Sequence, residues 1–270
     1  MEYSVLMSLY KKEWPQFLRE AIDSMLAQTV KPSEIVIVKD GPLTLELDAV
    51  LNEYVNKHSQ LFHIVVNDKN IGLGLALNNG LQACEYEYVA RMDTDDIAKP
   101  DRCEKQLKCF EENEELIIVG AWVDEFYDDP NVILSTRKVP IEHKDIYEFA
   151  KRRSAFNHPV VMYRKEAVLQ NGGYSNLRRN QDVDLFGRML FHGCKAHNIP
   201  ESLLLFRSND ALNKRRKSWQ NTASYISTIK KFWKMGYSSF GDYALVACAQ
   251  TAMFICPASL QQWLYKKFLR

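Results

Sequence analysis

Three carboxylates, Asp93, Asp95 and Asp96, fall within four residues of the stretch YVARMDTDDIAKPDR, Tyr88 to Arg102. Side chains crowded in this way repel one another. They become chemically useful when a hard divalent cation sits among them, drawing oxygen ligands from one or two Asp and the rest from phosphate and water. Tyr88 to Met92 is an apolar run that reads as a short buried strand, and Pro100 suits the first turn of a helix. The acids therefore stand at a strand's carboxyl end, the rim where open α/β sheets bind ligands. The chemistry implied is a metal-bridged nucleotide, and an acidic loop capping the next helix is the plainer reading of the same residues.

The elements that would hold this cluster follow from hydrophobic periodicity. Ser4 to Leu9 is a short apolar strand, and Leu18, Ile22, Met25 and Leu26 then recur at helical spacing. Glu34 to Val38 is a second, β-branched strand ending in the turn Lys39-Asp40-Gly41-Pro42, which brings Asp40 to the same rim. Leu47 to Tyr54 reads as a helix, Phe62 to Val66 as a strand, and Leu73 to Cys84 as a helix. The loop NDKNIGLG between the last two has two glycines without the spacing of a phosphate-binding loop, and a tight turn suffices to explain it. Alternating strands and helices imply right-handed crossovers and a mostly parallel, Rossmann-like central sheet flanked by helices.

Downstream, Glu115 to Trp122 and Ile133 to Val139 read as strands joined by an acidic loop, Val123 to Pro130. Asp145 to Lys151 reads as a short helix, and His158-Pro159 leads into the strand VVMYR. The helix expected from Asp182 to about Phe191 places Asp182 in its first turn, where the dipole favours an anion by about 0.3–1 kcal/mol. Asp184 reads as a solvated residue of that helix. His158 is read either as lining the acceptor or phosphate side of a site or as a structural turn histidine.

Hydrophobic residues make up 46% of the 270 and charged residues 26%, ordinary for a folded chain and against disorder. The six cysteines form no CxxC pair, which favours a reducing cytoplasm over zinc or disulfides. MEYSVLMSLY lacks the basic region of a secretion signal and reads as the first strand. The net charge of +1 conceals an asymmetry: from Arg207 onward, eleven Lys or Arg face only Asp210 and Asp242, a local balance of +9. Such a tail suits an anionic surface. Its cations are interleaved with a long apolar segment, which argues against nucleic acid. Tyr243 to Cys256 is too short and too polar to span a bilayer, and Trp233, Trp263, Tyr265, Lys266, Lys267 and Arg270 suit a headgroup interface, with packing against the body as the alternative.

In order along the chain, SVLMSLYKKEWPQFLREAIDSMLAQT, EIVIVKDGP, NIGLGLALNNGL, YVARMDTDD, HPVVMYRKEAV, GGY and QDVDLFGRM resemble glycosyltransferase family 2, from Tyr3 to about Arg207. LLLFRSNDALNKRR is similar to bacterial members that build O-antigen and capsule repeats. The resemblance implies a GT-A catalytic domain over 1–217, with 218–270 as a basic amphipathic helical extension associating with the membrane. It implies inverting transfer of a hexose or N-acetylhexosamine, galactose or glucose first, from a UDP-sugar to a polyprenyl-diphosphate-linked sugar, with Mn²⁺ or Mg²⁺, in the cytoplasm at the inner membrane face. Ser8 and Tyr10 match positions lining the nucleotide, Asp40 the residue meeting the base, Asp95 the likeliest metal ligand in the family's pattern, and Asp93 a metal ligand nearer the ribose. Asp96 extends that motif toward the metal or donor sugar. Asp182 matches the general base, with Gln181 standing where the family has an acid. Arg207 matches an arginine of the family's pattern that many relatives follow with a histidine; here Ser208-Asn209-Asp210 follows, and the resemblance implies Lys214, Arg215 and Arg216 as alternative diphosphate contacts. A metal-dependent nucleotidyltransferase and a non-catalytic nucleotide-sugar binding module are the competing readings. The first would need a better phosphate loop than Lys11-Lys12, and the second has no use for an acceptor-side base.

Overall fold

The computed structural model describes residues 1–208 and 218–256. Its first half alternates β1 (Tyr3–Leu9), α1 (Pro15–Leu26), β2 (Glu34–Asp40), α2 (Leu45–Lys57), β3 (Phe62–Asn67), α3 (Leu73–Ala83) and β4 (Tyr88–Met92). The second half comprises β5 (Ile97–Ala98), α4 (Arg102–Glu112), β6 (Leu116–Phe126), β7 (Ile133–Arg137), α5 (His143–Ala150), a 3₁₀ turn (His158–Val160), β8 (Met162–Arg164), α6 (Lys165–Gln170), α7 (Gln181–Phe191) and β9 (Lys195–Arg207). Two helices follow, α8 (Trp219–Lys234) and α9 (Phe240–Ile255).

One sheet runs in the order β3-β2-β1-β4-β8-β6-β9-β5, with β7 paired to β6. It is parallel from β3 to β4 and again between β6 and β9, while β8, β7 and β5 run antiparallel to their neighbours. Strands β1, β2 and β4 are buried on both faces, hence their unbroken apolar runs. Helices α1, α2 and α4 cover one face. Helices α3, α5, α6 and α7 cover the other, joined by Ile229 and Phe232 of α8 and Val246 of α9.

Several expectations are corrected. The stretch expected as an acidic loop from Val123 is strand to Phe126, because its acids find partners: Asp124 accepts from Thr136 at 2.7 Å and pairs with Lys99 at 2.9 Å, and buried Glu125 accepts from Ser135 at 2.9 Å. Pro100 lies in a turn ahead of α4, and β5 occupies part of the stretch after the acids. Asp184 is not solvated: it is 1% exposed and bridges Arg188 at 2.9 Å and Lys231 of α8 at 2.6 Å.

Candidate active site

The carboxyl ends of β1, β2 and β4 converge on one rim because the three strands are parallel neighbours. Ser8 lies in the last turn of side chains on β1 and Tyr10 just beyond it, both half-buried. Asp40, the last residue of β2, is buried, and its carboxylate accepts from the Ile71 and Gly72 amides at 2.8 and 3.0 Å and from Asn67 at 3.2 Å. These bonds fold the NDKNIGLG loop back onto β2. Gly41 makes the fold possible, since its φ is +87° and a Cβ there would lie 2.6 Å from the Asn70 nitrogen.

Asp93, Asp95 and Asp96 follow β4 and present three carboxylate oxygens within 4.8 Å of one another. Asp96 is fully buried; one oxygen accepts from the Arg207 amide at 2.8 Å, and the other has no hydrogen-bond partner. Burial and the Asp93 charge push Asp95 up to about 7, and burial with both neighbouring charges pushes Asp96 well above the carboxylate range. Crowded acids that cannot all ionise, one with an orphaned buried oxygen, fit a divalent cation held by oxygen ligands.

Arg207 docks the end of β9 against this cluster. Its guanidinium donates to the Asp95 carbonyl at 2.8 Å, pairs with Glu20 of α1, and lies 3.9 Å from the Phe17 ring centre and 4.6 Å from that of Phe126. These contacts tie the end of β9 to the acidic loop. Arg91 performs a similar task from beneath: it is 1% exposed, pairs with Asp93, and leaves Nε and one terminal nitrogen unpartnered. Sequence reasoning missed Arg91, although a charged residue in the middle of the apolar run YVARM is itself a signal.

Asp182 is half-buried in the first turn of α7. Burial raises its pKa, while backbone amides of Val183 and Asp182 and the charges of Arg137 and Arg91 pull the other way. Asn180 precedes the helix with a left-handed φ of 63°, a conformation asparagine tolerates. Gln181 is buried with an unpartnered side-chain oxygen. Asn78 of α3 clasps Tyr174 through backbone contacts of 2.7 and 2.8 Å, and the Tyr174 hydroxyl meets His158 Nε2 at 3.0 Å. The charges of both Asp93 and Asp182 reach Tyr174 and help to keep its hydroxyl protonated. Burial and Arg91 hold His158 well below its ordinary pKa, keeping it neutral and suited to this hydrogen bond. Lys214, Arg215 and Arg216, like Trp263, Tyr265, Lys266, Lys267 and Arg270, lie outside the described residues.

A Rossmann-like sheet with an acidic cluster at the end of β4, a mixed half beyond it and a returning strand that buttresses that cluster defines a glycosyltransferase of the GT-A type. The chain belongs to glycosyltransferase family 2: the family description "Glycosyl transferase family 2" matches residues 4–172. It is 38% identical over 270 residues to an uncharacterized glycosyltransferase of Haemophilus influenzae, covering 100% of both chains. It is 35% identical to the amylovoran biosynthesis glycosyltransferase AmsE of Erwinia amylovora, covering 98% of each. Identity is 34% to the UDP-Gal:alpha-D-GlcNAc-diphosphoundecaprenol beta-1,3-galactosyltransferase of Escherichia coli, over 100% of this chain and 97% of that protein. Among solved structures, S. aureus TarS 1–349 in complex with UDP superposes with a TM-score of 0.67 at 14% identity, over 98% of this chain and 78% of that one. The mannosyltransferase PcManGT from Pyrobaculum calidifontis, in complex with GDP-Man and Mn²⁺, gives 0.66 at 14% identity, over 98% and 79%. These two likenesses concern the fold.

Proposed function

We propose that this glycosyltransferase transfers a hexose or N-acetylhexosamine, galactose or glucose first, from a UDP-sugar to a polyprenyl-diphosphate-linked sugar, with inversion at C1. The observation that carries the reading is the pairing of a crowded acidic cluster at the end of β4 with half-buried Asp182 at the start of α7, both of whose charges reach Tyr174. The activity that names the Escherichia coli relative supports the choice of donor and acceptor class.

Asp95, with Asp93, would hold Mn²⁺ or Mg²⁺, and Asp96 would extend that set toward the metal or donor sugar. Such an ion would supply charge neutralisation for the departing diphosphate. Ser8 and Tyr10 line the nucleotide, and Asp40 orders the loop beside the base. Asp182, ionised, accepts the proton of the acceptor hydroxyl as its oxygen forms a bond to C1 and the C1–O bond to the diphosphate breaks, its electron pair leaving with UDP. Attack from the face opposite the leaving group gives inversion. Residues 1–217 constitute the catalytic part, and 218–270 hold it at the inner membrane face.

The test is a thermal-shift screen of UDP- and GDP-sugars with and without Mn²⁺, followed by assay of the binding donors on lipid-diphosphate-linked sugars. Metal-dependent stabilisation by a UDP-sugar and transfer from it are the expected results. Binding confined to GDP-sugars, or full turnover in excess chelator, would overturn the assignment.

A further inference from the structure

A second group of charges borders Asp182 and takes no part in the donor chemistry. Arg137 ends β7, opposite Val123 of β6, and its carbonyl accepts from the Asn157 side chain at 3.3 Å, one residue before His158. Arg153 follows α5, its guanidinium 5.2 Å from the Phe149 ring centre, and it lines a shallow cavity with Ser154, Val183 and Gly187. That cavity joins the Arg153 turn to the first turn of α7, one residue from Asp182. Tyr225 of α8 closes the same corner, donating to the Arg152 carbonyl at 3.0 Å. Arg137 and Arg153 are both exposed. Arg152 is paired with Asp242, whereas among the described residues neither Arg137 nor Arg153 has a carboxylate partner. The Arg137 charge reaches Asp182, and the Tyr225 hydroxyl feels Asp182, Arg153 and Arg137 together. On and just before β7, Val132, Ile133 and Leu134 are 57%, 44% and 56% exposed.

We propose that Arg137 and Arg153 bind the diphosphate of the acceptor while its sugar lies against Asp182, and that Val132, Ile133 and Leu134 receive the first part of its lipid. The proposal rests on the transferase reading above, from which it takes the acceptor's class. The physical reason is one of separation. A cation held by the acidic cluster would serve the donor's diphosphate, but the acceptor's diphosphate needs charges of its own on the acceptor side. Guanidinium groups suit it, because their planar forks bind phosphate oxygens in pairs. An acceptor whose reacting hydroxyl and diphosphate sit on one sugar ring requires base and cations about a ring apart. A neighbouring apolar strip then gives the lipid somewhere to begin.

Two measurements on the full chain test this. First, farnesyl diphosphate is titrated into protein already saturated with UDP and Mn²⁺, so that the donor site is closed to it. Binding is expected, and Arg137→Ala/Arg153→Ala should weaken it by about tenfold or more, the scale of a charge-assisted contact. No binding by the parent chain, or equal binding by the variant, overturns the proposal. Second, transfer is compared on an alkyl-diphosphate-linked sugar and on an alkyl glycoside of the same sugar. The variant's loss of kcat/KM on the first should exceed its loss on the second by at least about tenfold, a ratio that cancels any change in Asp182 basicity. Equal losses on both contradict the proposal. Loss of farnesyl diphosphate binding in the variant, with no sugar transferred to any lipid-diphosphate acceptor by the parent chain, would instead support the site and overturn the transferase assignment's acceptor.

Discussion

Burial and the Asp93 charge both oppose ionisation of Asp95 and push its pKa up to about 7. Its folded pKa lies above the ordinary value of 3.8, so the folded chain binds this proton more tightly than the unfolded chain. The resulting stabilisation is present in acid and is lost as pH rises from about 4 through about 7. A cation must displace that proton. Binding of Mn²⁺ should therefore strengthen as pH rises through about 7, with proton release, and Asp95→Asn should abolish the metal response of nucleotide binding. Calorimetric titration at several pH values checks this; an affinity independent of pH, or an unchanged response in Asp95→Asn, would count against the ligand assignment.

At the scale of elements, α7 is held from both sides. Asp184 is buried between Arg188 of its own helix and Lys231 of α8, and Gly187 lets the two helices approach so closely that a Cβ would lie 2.1 Å from the Phe232 ring. Asp184→Ala should cost about 2–3 kcal/mol, chiefly by leaving the largely buried Arg188 without its carboxylate, and Gly187→Ala about 1–3 kcal/mol by overpacking. Denaturant unfolding measures both, and changes below about 0.5 kcal/mol would mean that α8 does not brace α7. These contacts also explain what was legible in the sequence. β1, β2 and β4 could be read because strands buried on both faces have uninterrupted apolar runs, and α7 could be read from Leu185 and Met189. β9 could not: KAHNIPES is polar, contains a proline, and pairs with β6 through repeated register shifts, so no period survives. The inward turn of Asp184 depends on Lys231, 47 residues later, and the positioning work of Arg207 depends on Glu20, 187 residues earlier. Local pattern carries neither.

Across the whole molecule, charge and apolar exposure divide the chain between an acidic body and a basic end. From Arg207 onward the balance is +9, and α8 and α9 expose Trp219, Phe240, Leu245 and Ile255 by 51%, 61%, 57% and 74%. Tyr237 and Asp242 meanwhile tie these helices to the body through the Tyr147 carbonyl and Arg152. No helix among the described residues is long and apolar enough to cross a membrane. Packing on one face thus leaves another for an interface. The chain should sediment with anionic vesicles, weakly less so as salt rises, since each Lys or Arg near the surface contributes on the order of 1 kcal/mol and the apolar contribution persists. Neutralising Lys266, Lys267 and Arg270 should reduce sedimentation. If the intact chain ignores every lipid composition while transferring sugar to a water-soluble acceptor, the end segment is a packing element alone.

Of the residues proposed for the reaction, Asp182 in the first turn of α7 is the one on which the account stands or falls. Single-turnover transfer by Asp182→Asn, with UDP-sugar binding measured on the same preparation, tests it most directly. The account predicts unchanged donor binding and transfer slowed by about 10²-fold or more, the usual scale for removing a general base. Transfer at the rate of the parent chain would contradict it.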